Sequence, residues 1–207
     1  MLRGFFEDKE FFHQFRLIAL PVAGQNFINF ATSMADTLMV GQLGEVQLAA
    51  INQANQLGFI MNLLIFGLGS GSNVMIAQYW GKGDVESIRR VMTLMYRILA
   101  GVVAVFTALA LFCPYQVVSL FSNSPEVIAN GTEFLRIVGI SYLFNCFATA
   151  TIIVLRSVGT VRISLVVYIS SLTINVFLNW VLIFGNLGFP AMGVRGGAIA
   201  TVLARVS

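Results

Sequence analysis

Along most of this chain, long apolar runs alternate with short turns rich in polar residues and glycine. Six apolar stretches stand out, over about 17–40, 48–78, 91–112, 128–154, 163–184 and 193–207. Runs of this length fit helices and are too long for strands. A bilayer core of about 30 Å needs about 20 helical residues, so the first five can each cross it. From Gly193 to Ser207 a helix rises only about 22 Å at about 1.5 Å per residue. The sixth stretch is therefore expected to be a truncated span, and the chain a fragment of something longer.

Composition gives the same picture. The chain has 207 residues, 57% of them hydrophobic and only 10% charged, with a mean hydropathy of +0.85. Soluble domains carry about 25% charged residues. The expected fold class is all-α, a polytopic membrane helix bundle embedded in a lipid bilayer. Residues 1–15 mix Phe5, Phe6, Phe11, Phe12 and Phe15 with charged residues and read as a cytoplasmic interfacial segment. His13 is expected at its surface. The segment lacks the compact apolar core and small-residue cleavage site of a signal peptide.

Charge sets the expected orientation. With the N-terminus inside, Arg3, Lys9, Arg16, Lys82, Arg89, Arg90, Arg97, Arg156 and Arg162 fall on the cytoplasmic side, against twelve basic residues in all. The turns at 41–47 and 114–127 hold no Lys or Arg. This is the positive-inside pattern of a multi-pass cell-membrane protein with a cytoplasmic N-terminus. Glu133 and Arg136 are spaced to pair on one helix. Arg205 falls at mid-membrane, an uncomfortable place unless it faces a cavity.

Candidate chemistry centres on Asp36. It is the one acidic residue well inside an apolar run, where a carboxylate is costly and points to function. Gln25, Asn26, Asn29, Thr32 and Ser33 add polarity to the same helix, so its surface is expected to face protein or water. About four turns separate Asp36 from Pro21, which can start or bend a helix because it donates no backbone hydrogen bond. Asn175 and Asn179, four apart, share one helix face. The second stretch is polar as well, with Asn52, Gln53, Asn55, Gln56 and Asn62. Burial disfavours the charged form of a carboxylate, so Asp36 is a candidate proton carrier. A bound Na+ would find oxygen ligands in Asp36, Asn175 and Thr201. Other readings stand beside this one: Asp36 hydrated at the outer interface, and the amides serving only helix packing.

The remaining function classes are poorly served. Basic residues are not gathered on a nucleic-acid-binding face. Cys113 and Cys146 read as buried thiols, without zinc spacing. GLGSG at 67–71 lacks the Lys-Ser/Thr of a phosphate loop. No nucleophile–base pair or cofactor motif suggests an enzyme.

The sequence does resemble a family. Pro21 with Asp36, followed by Thr37, Met39, Val40 and Gly41, is similar to the opening of multidrug and toxic compound extrusion (MATE) transporters. Leu48-Ala49-Ala50, Gln78 with Gly81, LRSVG at 155–159, INVFLNWVLIFG at 174–185 and GGAIAT at 196–201 resemble later motifs in the same order. The resemblance implies one six-helix lobe of a twelve-helix transporter, lacking its C-terminal lobe.

It also implies a secondary antiporter. Such a protein exports small organic, often cationic, compounds in exchange for H+ or Na+, with no other cofactor. Asp36 would be the coupling site and Pro21 the helix bend. Asn175, Asn179 and Thr201 match partner positions, Asn179 standing where many relatives have aspartate. Ile152 stands where a fourth-helix asparagine is common. Gln25, Asn29 and Gln53 are expected to line the substrate cavity. The alternatives are a lipid-linked oligosaccharide flippase of the same superfamily and a non-transporting half-transporter. A flippase would favour a strongly cationic cavity, which the sequence does not indicate.

Overall fold

The computed structural model describes residues 9–160 and 162–206, and every regular element among them is helical. The order is α1 (Lys9–Gly41), α2 (Glu45–Gly81), α3 (Val85–Phe112), α4 (Pro114–Ser119), α5 (Pro125–Gly139), α6 (Tyr142–Ser157), α7 (Arg162–Phe184) and α8 (Val194–Val206), with a 3-10 turn at Asn186–Gly188. Of the expected interfacial segment, residues 1–8 lie outside the described residues, and from Lys9 onward the chain is already part of α1.

Among the described residues, α2, α3 and α7 are long and apolar enough to cross a membrane. The pair α5 and α6 makes a fourth crossing if its two helices are taken together. The fourth apolar stretch is thus not one straight helix: it breaks at Ile140 and Ser141 with a bend of 55°. Here the backbone tightens to i→i+3 bonds, from Ile140 N to Ile137 O and from Ser141 N to Val138 O, a geometry that often marks a functional hinge. Apolar length alone could not reveal this; the local signal is Gly139 and Ser141 on either side of Ile140. Two proline positions also differ from expectation. Pro114 starts the short α4 inside what read as a loop, and Pro125 starts α5, each at the helix position where a missing N–H costs nothing.

α1 is 33 residues long, enough to span, but its row of amide and hydroxyl side chains lowers its apolar character. It runs through Pro21 without interruption. Large side chains such as Phe27, Phe30, Leu38 and Phe112 point outward, as a lipid-facing surface requires.

The helices form two groups. α2 packs on α3, α5 and α6, while α7 packs on α1 and α8, and α5 against α8 joins the groups. In lipid such packing depends on close approach through small residues. Gly139 illustrates it: a Cβ there would lie 2.5 Å from Ala110 Cβ. Contact between α1 and α2 is sparse, so a cleft remains between the groups. The second anchor is an ion pair from Arg195 to Glu133, linking the start of α8 to α5. Glu133 therefore pairs across helices and not with Arg136 as its spacing suggested.

Candidate functional site

The cleft is lined by the polar face of α1. Asp36 lies there, half-buried, opposite the two asparagines of α7. Asn175 and Asn179 are 3% and 1% exposed, and their spacing of four brings both to the α1 side. Asn179 Nδ2 donates to Asp36 Oδ1 at 2.5 Å and to Asn175 Oδ1 at 3.2 Å. The two bonds fix the Asn179 rotamer and aim one of its amide hydrogens at the carboxylate. Asn179 Oδ1 is buried without a hydrogen-bond partner.

α8 closes the site. Thr201 Oγ1 donates to Gly197 O at 2.9 Å, one turn back, leaving its lone pairs toward the pocket. A pocket of about 70 Å³ is bounded by Asp36, Asn55, Asn179, Thr201 and Arg205. Its volume exceeds what a water needs, so a proton, a small hydrated cation or a cationic ligand group fits beside the carboxylate. Asp36, Asn55, Thr201 and Arg205 also line a cavity of about 420 Å³. Through Asn29, Asn62, Asn145 and Tyr168 that cavity is shared with one of about 600 Å³ reaching Arg156.

Of the expected site residues, Asp36, Asn179 and Thr201 meet around the small pocket, and Asn175 lines the adjoining cavity with Asp36 and Thr201. Asn29 lines both large cavities. Gln25 is buried and accepts a hydrogen bond from Arg156, behind the lining. Gln53 is half-buried on α2 and lines none of these cavities, because the face of α2 that meets the cleft carries Asn55 and Asn62. Ile152 lines the larger cavity.

Sequence reasoning flagged the depth of Arg205 but assigned neither Arg205 nor Arg156 to the site. Arg205 does face a cavity, the one condition that makes its depth tenable. Its Nη1 donates to Ser141 Oγ at 3.0 Å, and Ser141 Oγ donates to Val138 O at 2.7 Å. The arginine therefore reaches the break between α5 and α6. The signal was its spacing, one helical turn beyond Thr201. Arg156 was read only as a cytoplasmic loop charge. With both arginines in the lining, the cavity is more cationic than the sequence indicated.

This is an all-helical membrane bundle with an ionisable group held in an internal polar cleft. The family model MatE matches residues 21–181, and the chain belongs to that family, the MATE transporters, which are not enzymes. It is 35% identical over 192 residues to "Probable multidrug resistance protein NorM" of Rhizobium meliloti, covering 89% of this chain and 39% of that protein. It is 28% identical over 191 residues to the protein of that name from Thermotoga maritima, covering 91% and 40%. The solved structure of the MATE multidrug transporter DinF-BH superposes with a TM-score of 0.85 at 23% identity, over 93% of this chain and 43% of that one. The chain thus spans less than half the length of these relatives, as one lobe of such a transporter does.

Proposed function

We propose that the protein is a secondary antiporter of a cell membrane, exporting small organic compounds in exchange for H+ or Na+, with Asp36 carrying the coupling ion. One observation carries this reading: the Asp36 carboxylate is held by Asn179 at 2.5 Å inside a pocket that continues into a large cavity. A carboxylate so placed exchanges a proton, or a cation with oxygen ligands from Asn175 and Thr201, without leaving its helix. The relatives' names, which speak of multidrug resistance, support an organic cargo.

In this mechanism the ion and the cargo exclude one another around Asp36. Ion entry neutralises the carboxylate and loosens its bond from Asn179, and the cleft between the α1–α7–α8 group and the α2–α3–α5–α6 group then changes the side to which it opens. Alternating access of this kind rocks helix groups about a fixed site. Pro21, without an N–H to donate, is the position at which α1, continuous here, would bend in the switch. The positive-inside pattern orients the N-terminus to the cytoplasm, and a second lobe completes the transporter. The test is export by the complete protein in proteoliposomes, with pH and sodium gradients varied separately. Asp36→Asn is expected to abolish ion-driven export while still inserting. Normal export by that variant contradicts the reading.

A further inference from the structure

Away from the cleft, α3 carries a concentration of charge that the antiport reading does not use. Between residues 82 and 97 lie four basic residues, Lys82, Arg89, Arg90 and Arg97, and two acidic ones, Asp84 and Glu86. Both acids are engaged: Asp84 caps α3 through Ser87, and Glu86 pairs with Arg90. Arg89 and Arg97 have no acidic partner among the described residues. The three arginines are exposed on the face of α3 turned away from the buried Ile88, Met95 and Leu99. Together with Thr93 and Leu94 they border an open groove of about 700 Å³. No residue of α3 lines the cavities around Asp36.

Depth decides what this groove can hold. The uncharged run after Arg97, residues 98–112, rises about 22 Å at about 1.5 Å per residue. A hydrocarbon core is about 30 Å thick. With the Phe112 end of α3 at one interface, the Arg97 backbone therefore lies about 8 Å inside the core at the other. A guanidinium exposed at that depth is costly unless it reaches the headgroups. Side chains of a helix lean toward its N-terminus, which for α3 is the end that carries the other charges. Arg97 shares its groove with Arg90, two turns nearer that end. Thr93 Oγ1 donates its hydrogen to Arg89 O at 2.8 Å, so the guanidinium groups are the donors left to the groove. Leu94 and Ile98, 61% and 42% exposed, continue the surface into the core. A soluble anion would have to leave water to reach Arg97, whereas a lipid phosphate already sits at the boundary with its chains in the core.

We propose that the α3 groove binds one anionic phospholipid of the leaflet at this end, the cytoplasmic leaflet on the positive-inside orientation. Arg97 and Arg89 hold its phosphate, and Leu94 and Ile98 lie against an acyl chain. A guanidinium suits a phosphate because its fork of donors matches two oxygens. Glu86 is already paired with Arg90 and does not offer its charge to an ammonium headgroup, so the surplus positive charge favours an anionic lipid over a zwitterionic one. Because α3 packs on α2, α5 and α6, the lipid ties that helix group to the membrane surface.

The experiment titrates the complete protein in detergent with dioleoylphosphatidylglycerol or dioleoylphosphatidylcholine. The two lipids share acyl chains and differ in headgroup charge, and native mass spectrometry reads the first binding step of each. The unaltered protein is expected to prefer the anionic lipid by about tenfold or more, since each basic residue near the surface contributes about fivefold. Arg97→Gln should lower that preference about fivefold. Lys82→Gln removes the same charge from the exposed α2–α3 turn, outside the groove, and should change it less than about twofold, as a contact-free charge predicts. The absence of a preference in the unaltered protein overturns the proposal, and is the result expected if the second lobe or another protein covers the groove. An unaltered preference in Arg97→Gln overturns it too, as does an equal loss in Lys82→Gln, which marks diffuse attraction to basic charge. Displacement of the anionic lipid by inorganic phosphate also overturns it, as the mark of a site for a soluble anion. If Arg97→Gln does not fold, Arg89→Gln takes its place with the same expected loss.

Discussion

Asn179 Nδ2 lies 2.5 Å from Asp36 Oδ1, joining residues 143 positions apart in the chain. The bond ties the first long helix to α7 at the one carboxylate that lines the cleft among the described residues. A neutral donor there stabilises the carboxylate without itself gaining or losing a proton.

Asn179→Ala removes that donor and leaves Asp36 in place. A hydrogen bond to a charged group contributes about 1.5–3 kcal/mol, so the apparent affinity for the coupling ion should change about tenfold or more. Export measured against pH and against sodium concentration reads this shift. An unaltered midpoint for both ions would show that the bond plays no part in coupling.

Gln25→Leu keeps the volume near Arg156 but removes its carbonyl acceptor. Leaving a charged donor unsatisfied costs about 1–3 kcal/mol or more. The variant should unfold at lower temperature in detergent. Gln53→Leu, half-buried and away from the cavities, is the comparison and should lose much less.

Gly196→Ala tests the packing of α8 on α7. A Cβ at Gly196 would press into Leu182 O, a backbone atom with little room to retreat. Overpacking of this kind costs about 1–3 kcal/mol. Gly71→Ala, with nothing within 4 Å of the added carbon, should be neutral or slightly stabilising, since alanine favours helix. Thermal unfolding of the pair separates close approach from helix propensity.

Asp84 caps α3 outside the membrane. Its Oδ2 accepts from the Ser87 hydroxyl at 2.7 Å and its Oδ1 from Ser87 N at 3.0 Å. These bonds hold its carboxyl below the usual value of 3.8. A depressed value means that the contribution to stability is complete above 3.8 and is lost as pH falls through the folded value. Asp84→Ala should therefore be less stable than the unaltered protein at neutral pH, with the difference closing in acid. A pH-independent difference would assign the effect to something other than the ionised cap.

Much of the fold could be read from the sequence because a bilayer imposes length and polarity on every span. Asp36 stood out for the same reason, and the four-residue spacing of Asn175 and Asn179 put both on its side. The break at Ser141 was not read from the apolar pattern, which runs on across it, although Gly139 and Ser141 flank Ile140 there. Arg205 reaches it from α8 through the Ser141 hydroxyl, which itself donates to Val138 O. Gln53 shows the converse limit. Polarity on α2 marked the helix as inward-facing, but the choice between Gln53 and Asn55 depends on which face meets the cleft, and that is set by packing on α3, α5 and α6. Arg205 itself was visible as an anomaly of depth, and only the fold supplies its hydroxyl partner and its neighbour across the pocket.

Competition at Asp36 is most directly measured by counting ions displaced when cargo binds. For the complete protein, calorimetric titration with a transported compound, in buffers of different ionisation enthalpy and with sodium varied, gives the number of protons released and the dependence on Na+. Unaltered protein should release a proton, or lose cargo affinity as sodium rises, and Asp36→Asn should do neither. Identical ion release by the two proteins would contradict the assignment of coupling to Asp36.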